Sequence, residues 1–126
     1  MHVLLVEDDE VDIQSVERAL KKLNLPIELH IARDGKEALD LLLEGQSPFI
    51  PQLIILDINM PKMNGIEFLR KLRSNPDFNF VNIIVFTTSN DQQDKLSALS
   101  LNIAGYILKP LQVDDFLPLC QLLLKA

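Results

Sequence analysis

The chain has 126 residues, 48% of them hydrophobic and 24% charged, with a formal net charge of -6. That is one domain, long enough to bury a core, and its acidic balance excludes the basic stripe of a nucleic-acid-binding surface while suiting metal cations or a basic partner. The one cysteine, Cys120, precludes an internal disulfide, the acidic N-terminus is unlike a signal peptide, and no apolar run approaches the ~20 residues of a membrane span, so a cytoplasmic protein is expected, with neither nucleic acid nor membrane as partner.

Val3–Val6 is a short apolar run ending in Glu7-Asp8-Asp9 and reads as a buried strand with acids at its carboxyl end. Val11, Ile13, Val16, Leu20 and Leu23 recur at helical spacing, with Asp9 placed to cap that helix and Pro26 to stop it. Ile27 to Ala32 alternates apolar residues with Glu28 and His30, as an edge strand with one wetter face does. Ala38, Leu39, Leu42 and Leu43 mark a second helix, closed by Gly45. Leu53–Leu56 is a continuous apolar run, suited to a strand buried on both faces, and Asp57 stands where it stops.

After Gly65, the residues Ile66, Phe68, Leu69 and Leu72 give a third helix with Arg70, Lys71 and Arg73 outward, broken at Asn75-Pro76-Asp77. Asn82–Phe86 is a further buried strand ending in Thr87-Thr88-Ser89. A polar helix follows over Asp91–Ser100, with Leu96 and Leu99 on its inner side, then a last strand, Ile103–Leu108, ending in Lys109-Pro110. Val113 to Leu124 makes a final helix containing Pro118. Strands alternating with helices imply a parallel sheet with helices on both faces. The fold class is therefore α/β, a (βα)5 flavodoxin-like domain over 1–126, and a central third strand beside the first favours the order 2-1-3-4-5.

The chemistry lies at the strand ends. Burying an ionised Asp is costly without partners, and ligands of open α/β sheets gather at the carboxyl ends of the strands. Glu7, Asp8, Asp57, Thr87 and Lys109 all fall there. Three carboxylates in a small space repel one another unless a cation sits among them, and oxygen donors of this kind suit Mg²⁺. Carboxylate, metal, lysine and hydroxyl together fit phosphoryl transfer onto an aspartate. Taken singly, Asp57 could be a helix cap, the acidic run a cap with solvated charge, Thr87 a loop start and Lys109 a surface lysine.

In LLVEDD, LDINMPKMNG, VFTTS and GYILKP, taken in that order, the chain resembles the receiver domains of two-component response regulators over essentially its whole length. The resemblance implies a stand-alone receiver without an output domain. Asp57 would accept a phosphoryl group from a histidine kinase or a phosphotransfer protein, and the chain would signal by a conformational switch and protein binding rather than as an enzyme. It implies Mg²⁺ (or Mn²⁺) held by Asp8, Asp57 and the backbone carbonyl of Asn59, with Glu7 acting through water. Lys109 would contact the phosphoryl group and precede a cis proline.

Thr87 and Tyr106 match the family's switch pair, although Tyr106 also reads as a half-buried edge-strand aromatic. Asn59 and Ser89 match positions that tune dephosphorylation. The last strand and its flanking helices match the family's output face. The apolar excess of the final helix fits either a partner or homodimer face there or a helix split at Pro118 that packs inward. The loops around Pro48 and Pro76, with Thr87-Thr88, look most like receivers paired with bacterial phytochrome kinases. A haloacid-dehalogenase-type phosphatase would need a second Asp where Asn59 stands. Glu7-Asp8-Asp9 would repel the phosphate of a flavodoxin's cofactor, and the complete acidic, threonine and lysine set argues against a degenerate scaffold.

Overall fold

The structure, a computed structural model, describes residues 1–43, 49–60, 63–88, 91–111 and 121. The elements follow one another as β1 (His2–Val6), α1 (Glu10–Lys22), β2 (Glu28–Ala32), α2 (Gly35–Leu43), β3 (Leu53–Leu56), α3 (Gly65–Arg73), a 3-10 turn (Pro76–Phe78), β4 (Asn82–Thr87), α4 (Gln92–Leu99) and β5 (Gly105–Leu108). The strands form one parallel sheet, as the alternation predicts, in the order β2-β1-β3-β4-β5 that a central third strand beside the first favours. Gly45, Pro48, Ser89 and, residue 121 apart, the final helix with Pro118 and Cys120 lie outside the described residues.

Successive strand residues point to opposite faces, and the apolar runs of β1, β3 and β4 supply both. Val3, Leu5, Leu53, Ile55, Ile84 and Phe86 pack with Ile13, Val16 and Leu20 of α1. Leu4, Val6, Ile54, Leu56 and Ile83 pack with Ala38 and Leu42 of α2 and with Phe68, Leu69 and Leu72 of α3. β2 and β5 are only half covered, as edge strands are.

The helix starts follow the capping rules. The Asp9 carboxylate accepts from the backbone N–H groups of Val11 and Asp12, Asn64 from Glu67 and Asp91 from Asp94, each satisfying orphan donors of a first turn. The first helix ends before Pro26. Asn24 takes a left-handed conformation (φ 57°) two residues earlier, a backbone state that Asn tolerates better than most residues.

Three expectations are corrected. Val11 is exposed, and the buried face of α1 is completed by Ala19. In α4, Leu96 and Leu99 are 53% and 51% exposed, while Ala98 is fully buried against Ile58, Ile66 and Val85. One small residue, rather than two leucines, lets this polar helix approach the sheet. Arg73 does not point outward. Its guanidinium donates to the carbonyls of Leu101, Phe78, Asn79, Val81 and Asn102 at 2.8–3.1 Å. It thereby ties the end of α3 to the segments leading into β4 and β5.

Gly65 fixes the segment that follows β3. A Cβ there would lie 2.4 Å from the Asp57 carbonyl oxygen and 2.7 Å from Ile58 Cα, and its N–H donates to the Ile58 carbonyl at 2.9 Å. Ala is a better helix former by about 1 kcal/mol, but forcing backbone atoms apart costs about 3 kcal/mol. Gly65→Ala should therefore lose about 2 kcal/mol of stability in urea denaturation; an unchanged midpoint would show that the close approach is not required.

Candidate functional site

Parallel pairing sets the site. Val6 pairs with Ala32 on one side and Leu56 on the other, so the residues after Val6 and Leu56 leave neighbouring strands side by side. Glu7 is tied by its N–H to the Ala32 carbonyl and Asp57 by its N–H to the Val6 carbonyl. On the next strand, Thr87 is fully buried at the end of β4. Its carbonyl accepts from the Lys109 N–H at 2.9 Å, which brings the end of β5 to the same rim. Lys109-Pro110 is cis.

The Lys109 ammonium enters this rim from β5. Its Nζ lies 2.6 Å from Glu7 Oε1, 2.7 Å from Asp12 Oδ2 and 3.3 Å from Asp57 Oδ2, and its side chain is almost fully buried. It also lies 5.4 Å from the centre of the Phe86 ring. Burial alone would lower its pKa. The hydrogen bond to Asp12, the close approach of the Glu7 carboxylate and the charge of Asp57 outweigh that and hold it above the ordinary lysine value.

Each acid has its own hold. Asp57 is 5% exposed, and its Oδ1 accepts from the Asn59 N–H at 3.1 Å. Glu7 is fully buried, and its Oε2 accepts from the N–H groups of Asp8 and Asp9. Burial, reinforced by the Asp57 charge and opposed by Lys109, pushes the Glu7 carboxyl well above its usual range. Asp8 is exposed, yet Glu7, Asp8 and Asp57 each bring an oxygen within 4.8 Å of the others'.

Two observations test a divalent cation here. Glu7 Oε1 is buried with no aligned hydrogen bond, its contact with Lys109 being an ion pair only. Glu7, Asp8, Asp12 and Asp57 outnumber the single lysine among the described residues of the cluster. An all-oxygen, acid-rich donor set fits a hard cation of the Mg²⁺ or Mn²⁺ kind.

The structure thus brings together Glu7, Asp8, Asp57, Lys109 and the backbone of Asn59, with Thr87 at the same rim. Tyr106 is half-buried on β5, with Lys95 Nζ 5.7 Å from its ring centre. Asp12 is the residue that sequence reading missed. Its signal is its place in the first turn of α1, three residues after the Asp9 cap, on the turn that begins beside the ends of β1 and β3.

The sequence pattern of the response regulator receiver domain matches residues 3–121. The chain belongs to that family. Response regulator Rcp1 of a Synechocystis species is 34% identical over 122 residues, covering 94% of this chain and 83% of the relative. Among solved structures, a two-component response regulator from Legionella pneumophila is 44% identical with a TM-score of 0.89, over 100% of this receiver and 99% of that chain. The Mn²⁺-bound form of Rcp1 has a TM-score of 0.83 at 34% identity, covering 95% of this receiver and 88% of that chain. The bacteriophytochrome response regulator RtBRR has a TM-score of 0.83 at 31% identity, covering 97% and 76%.

Receiver domains are signalling modules of two-component systems. They bind a divalent metal and respond to phosphorylation, with a histidine kinase as the implied phosphodonor. Among the described residues of this receiver no helix is long and apolar enough to cross a membrane.

Removing the lysine leaves two buried carboxylates without their cation, a change that costs about 3 kcal/mol in comparable pairs. Lys109→Ala should lose about that much in metal-free urea denaturation while still folding, whereas Asp12→Asn, at a wetter position, should lose about 1 kcal/mol or less. Equal losses in the two variants would mean that the lysine's anchor is Asp12 rather than the buried pair.

Proposed function

We propose that this receiver accepts a phosphoryl group on Asp57 from a phosphohistidine and converts it into a change of binding surface. The observation that carries the reading is the Asp57 carboxylate itself. It is nearly buried at the end of a central strand, with Lys109 on one oxygen, the Asn59 N–H on the other and Glu7 and Asp8 beside it. A carboxylate oxygen attacks phosphorus in line. The new O–P bond forms as the N–P bond of the phosphohistidine breaks, and that bond's electron pair returns to the imidazole, which takes up a proton.

Mg²⁺, or Mn²⁺ in its place, would be held by Asp8, Asp57 and the Asn59 carbonyl, with Glu7 acting through water. Bound there, it supplies positive charge to the phosphoryl oxygens. Lys109, already at the rim, exchanges carboxylate partners for a phosphoryl oxygen. The Thr87 hydroxyl turns toward the new oxyanion, and Tyr106 moves into the space vacated, so a local charge change biases a two-state element. Asn59 and Ser89 govern water access and with it the lifetime of the aspartyl phosphate. The receiver supports its own phosphorylation and dephosphorylation in this way without turning over an external substrate. The likeness to RtBRR supports a phytochrome-type kinase as donor.

With Mg²⁺ and acetyl phosphate, the protein should gain a base-labile adduct that Asp57→Asn lacks; an adduct that persists in Asp57→Asn would place the acceptor elsewhere. With beryllofluoride, Lys109→Ala should keep its fold and lose most of the spectroscopic change seen in the unaltered protein. A full response in that variant would remove Lys109 from the switch.

A further inference from the structure

A second cluster of metal-type donors lies at the opposite end of the sheet. His2 opens β1 and Glu28 opens β2, and the two are register partners. His30 follows Glu28 by two residues and therefore shares its face of β2. His2 Nδ1 lies 2.9 Å from His30 Nε2 and 3.4 Å from Glu28 Oε2, and all three residues offer ligand atoms within 4.8 Å of one another. Phe49 stacks on the His30 ring at 4.0 Å between centroids and lies 5.1 Å from the His2 ring. The imidazoles are thus braced against an aromatic wall instead of swinging freely.

We infer that His2, Glu28 and His30 form a binding site for a divalent transition metal of the zinc class, separate from the acidic rim. Two imidazoles and a carboxylate leaving a fourth position open to solvent are a common zinc donor set. Metal–ligand distances of ~2.0–2.1 Å place tetrahedral ligand atoms about 3.3 Å apart. The Glu28 contact already has that spacing, and the His2–His30 pair must widen by only a few tenths of an ångström. A metal there takes the place of the direct contact between the two ring nitrogens. The ligands come from β1 and from the edge strand β2, so occupancy clamps the sheet's edge.

The two sites share no ligand. His2 and Glu7 are five residues apart along one strand, roughly 16 Å at strand rise. They also differ in donor chemistry: an all-oxygen set takes a hard ion, whereas imidazole selects zinc-class ions.

The test is Co²⁺ titration of the untagged chain under saturating Mg²⁺, read by the visible absorption of four-coordinate Co²⁺ and by competition with Zn²⁺. One equivalent should bind and be displaced by Zn²⁺ but not by Mg²⁺. Affinity should fall about tenfold or more in Glu28→Gln and in His30→Gln. Glu28 is largely exposed, so its variant decides the matter if a histidine variant fails to fold. Absence of Co²⁺ uptake under Mg²⁺, displacement of Co²⁺ by Mg²⁺, or unchanged affinity in Glu28→Gln would overturn the site.

Discussion

One buried ammonium organises the reactive rim. Lys109 Nζ touches carboxylates delivered by three different elements: Glu7 after β1, Asp12 in α1 and Asp57 after β3. Without it, the repulsion between Glu7 and Asp57 on adjacent strands would go unopposed, and Glu7, already held well above the usual carboxylate range by burial, would hold a proton more firmly still. The lysine makes the cluster tolerable but does not neutralise it. The residual negative charge suits the rim to a divalent cation, and the lysine divides its contacts among several carboxylates rather than being committed to one.

The sheet makes this convergence cheap in sequence terms. Parallel strands send their carboxyl ends to one side, so single residues placed after Val6, Leu56 and Leu108 meet although as many as 102 positions separate Glu7 from Lys109. β3, with all four residues buried, serves as the rigid base from which Asp57 projects. The near-contact of Gly65 with the Asp57 carbonyl keeps the segment between them folded tightly under the Asp57 carboxylate.

The sequence was most readable where one physical demand dominates. The run Leu53–Leu56 admits little but a doubly covered strand, and its limits agree with the structure; the acids, threonine and lysine at strand ends are likewise placed by topology alone. It was least readable where packing chooses among equals. In α4 either the leucines or Ala98 could have faced inward, and the choice fell to the residue small enough to fit against Ile58, Ile66 and Val85. Asp12 and Arg73 look like ordinary helix-surface charges in one dimension. Their partners, Lys109 and the carbonyls of Leu101 and Asn102, are 97, 28 and 29 residues away, and no local pattern announces such contacts.

The Arg73 fan bears on how β5 can move. Its guanidinium grips the carbonyls of Leu101 and Asn102 just before that strand, together with those of Phe78, Asn79 and Val81 before β4. The strand therefore has a fixed foot on α3, with Tyr106 in its first half and Lys109 just beyond its far end. A pull on the far end would turn the strand about that foot rather than slide it whole, with the largest travel beside the acidic rim and the least toward Arg73.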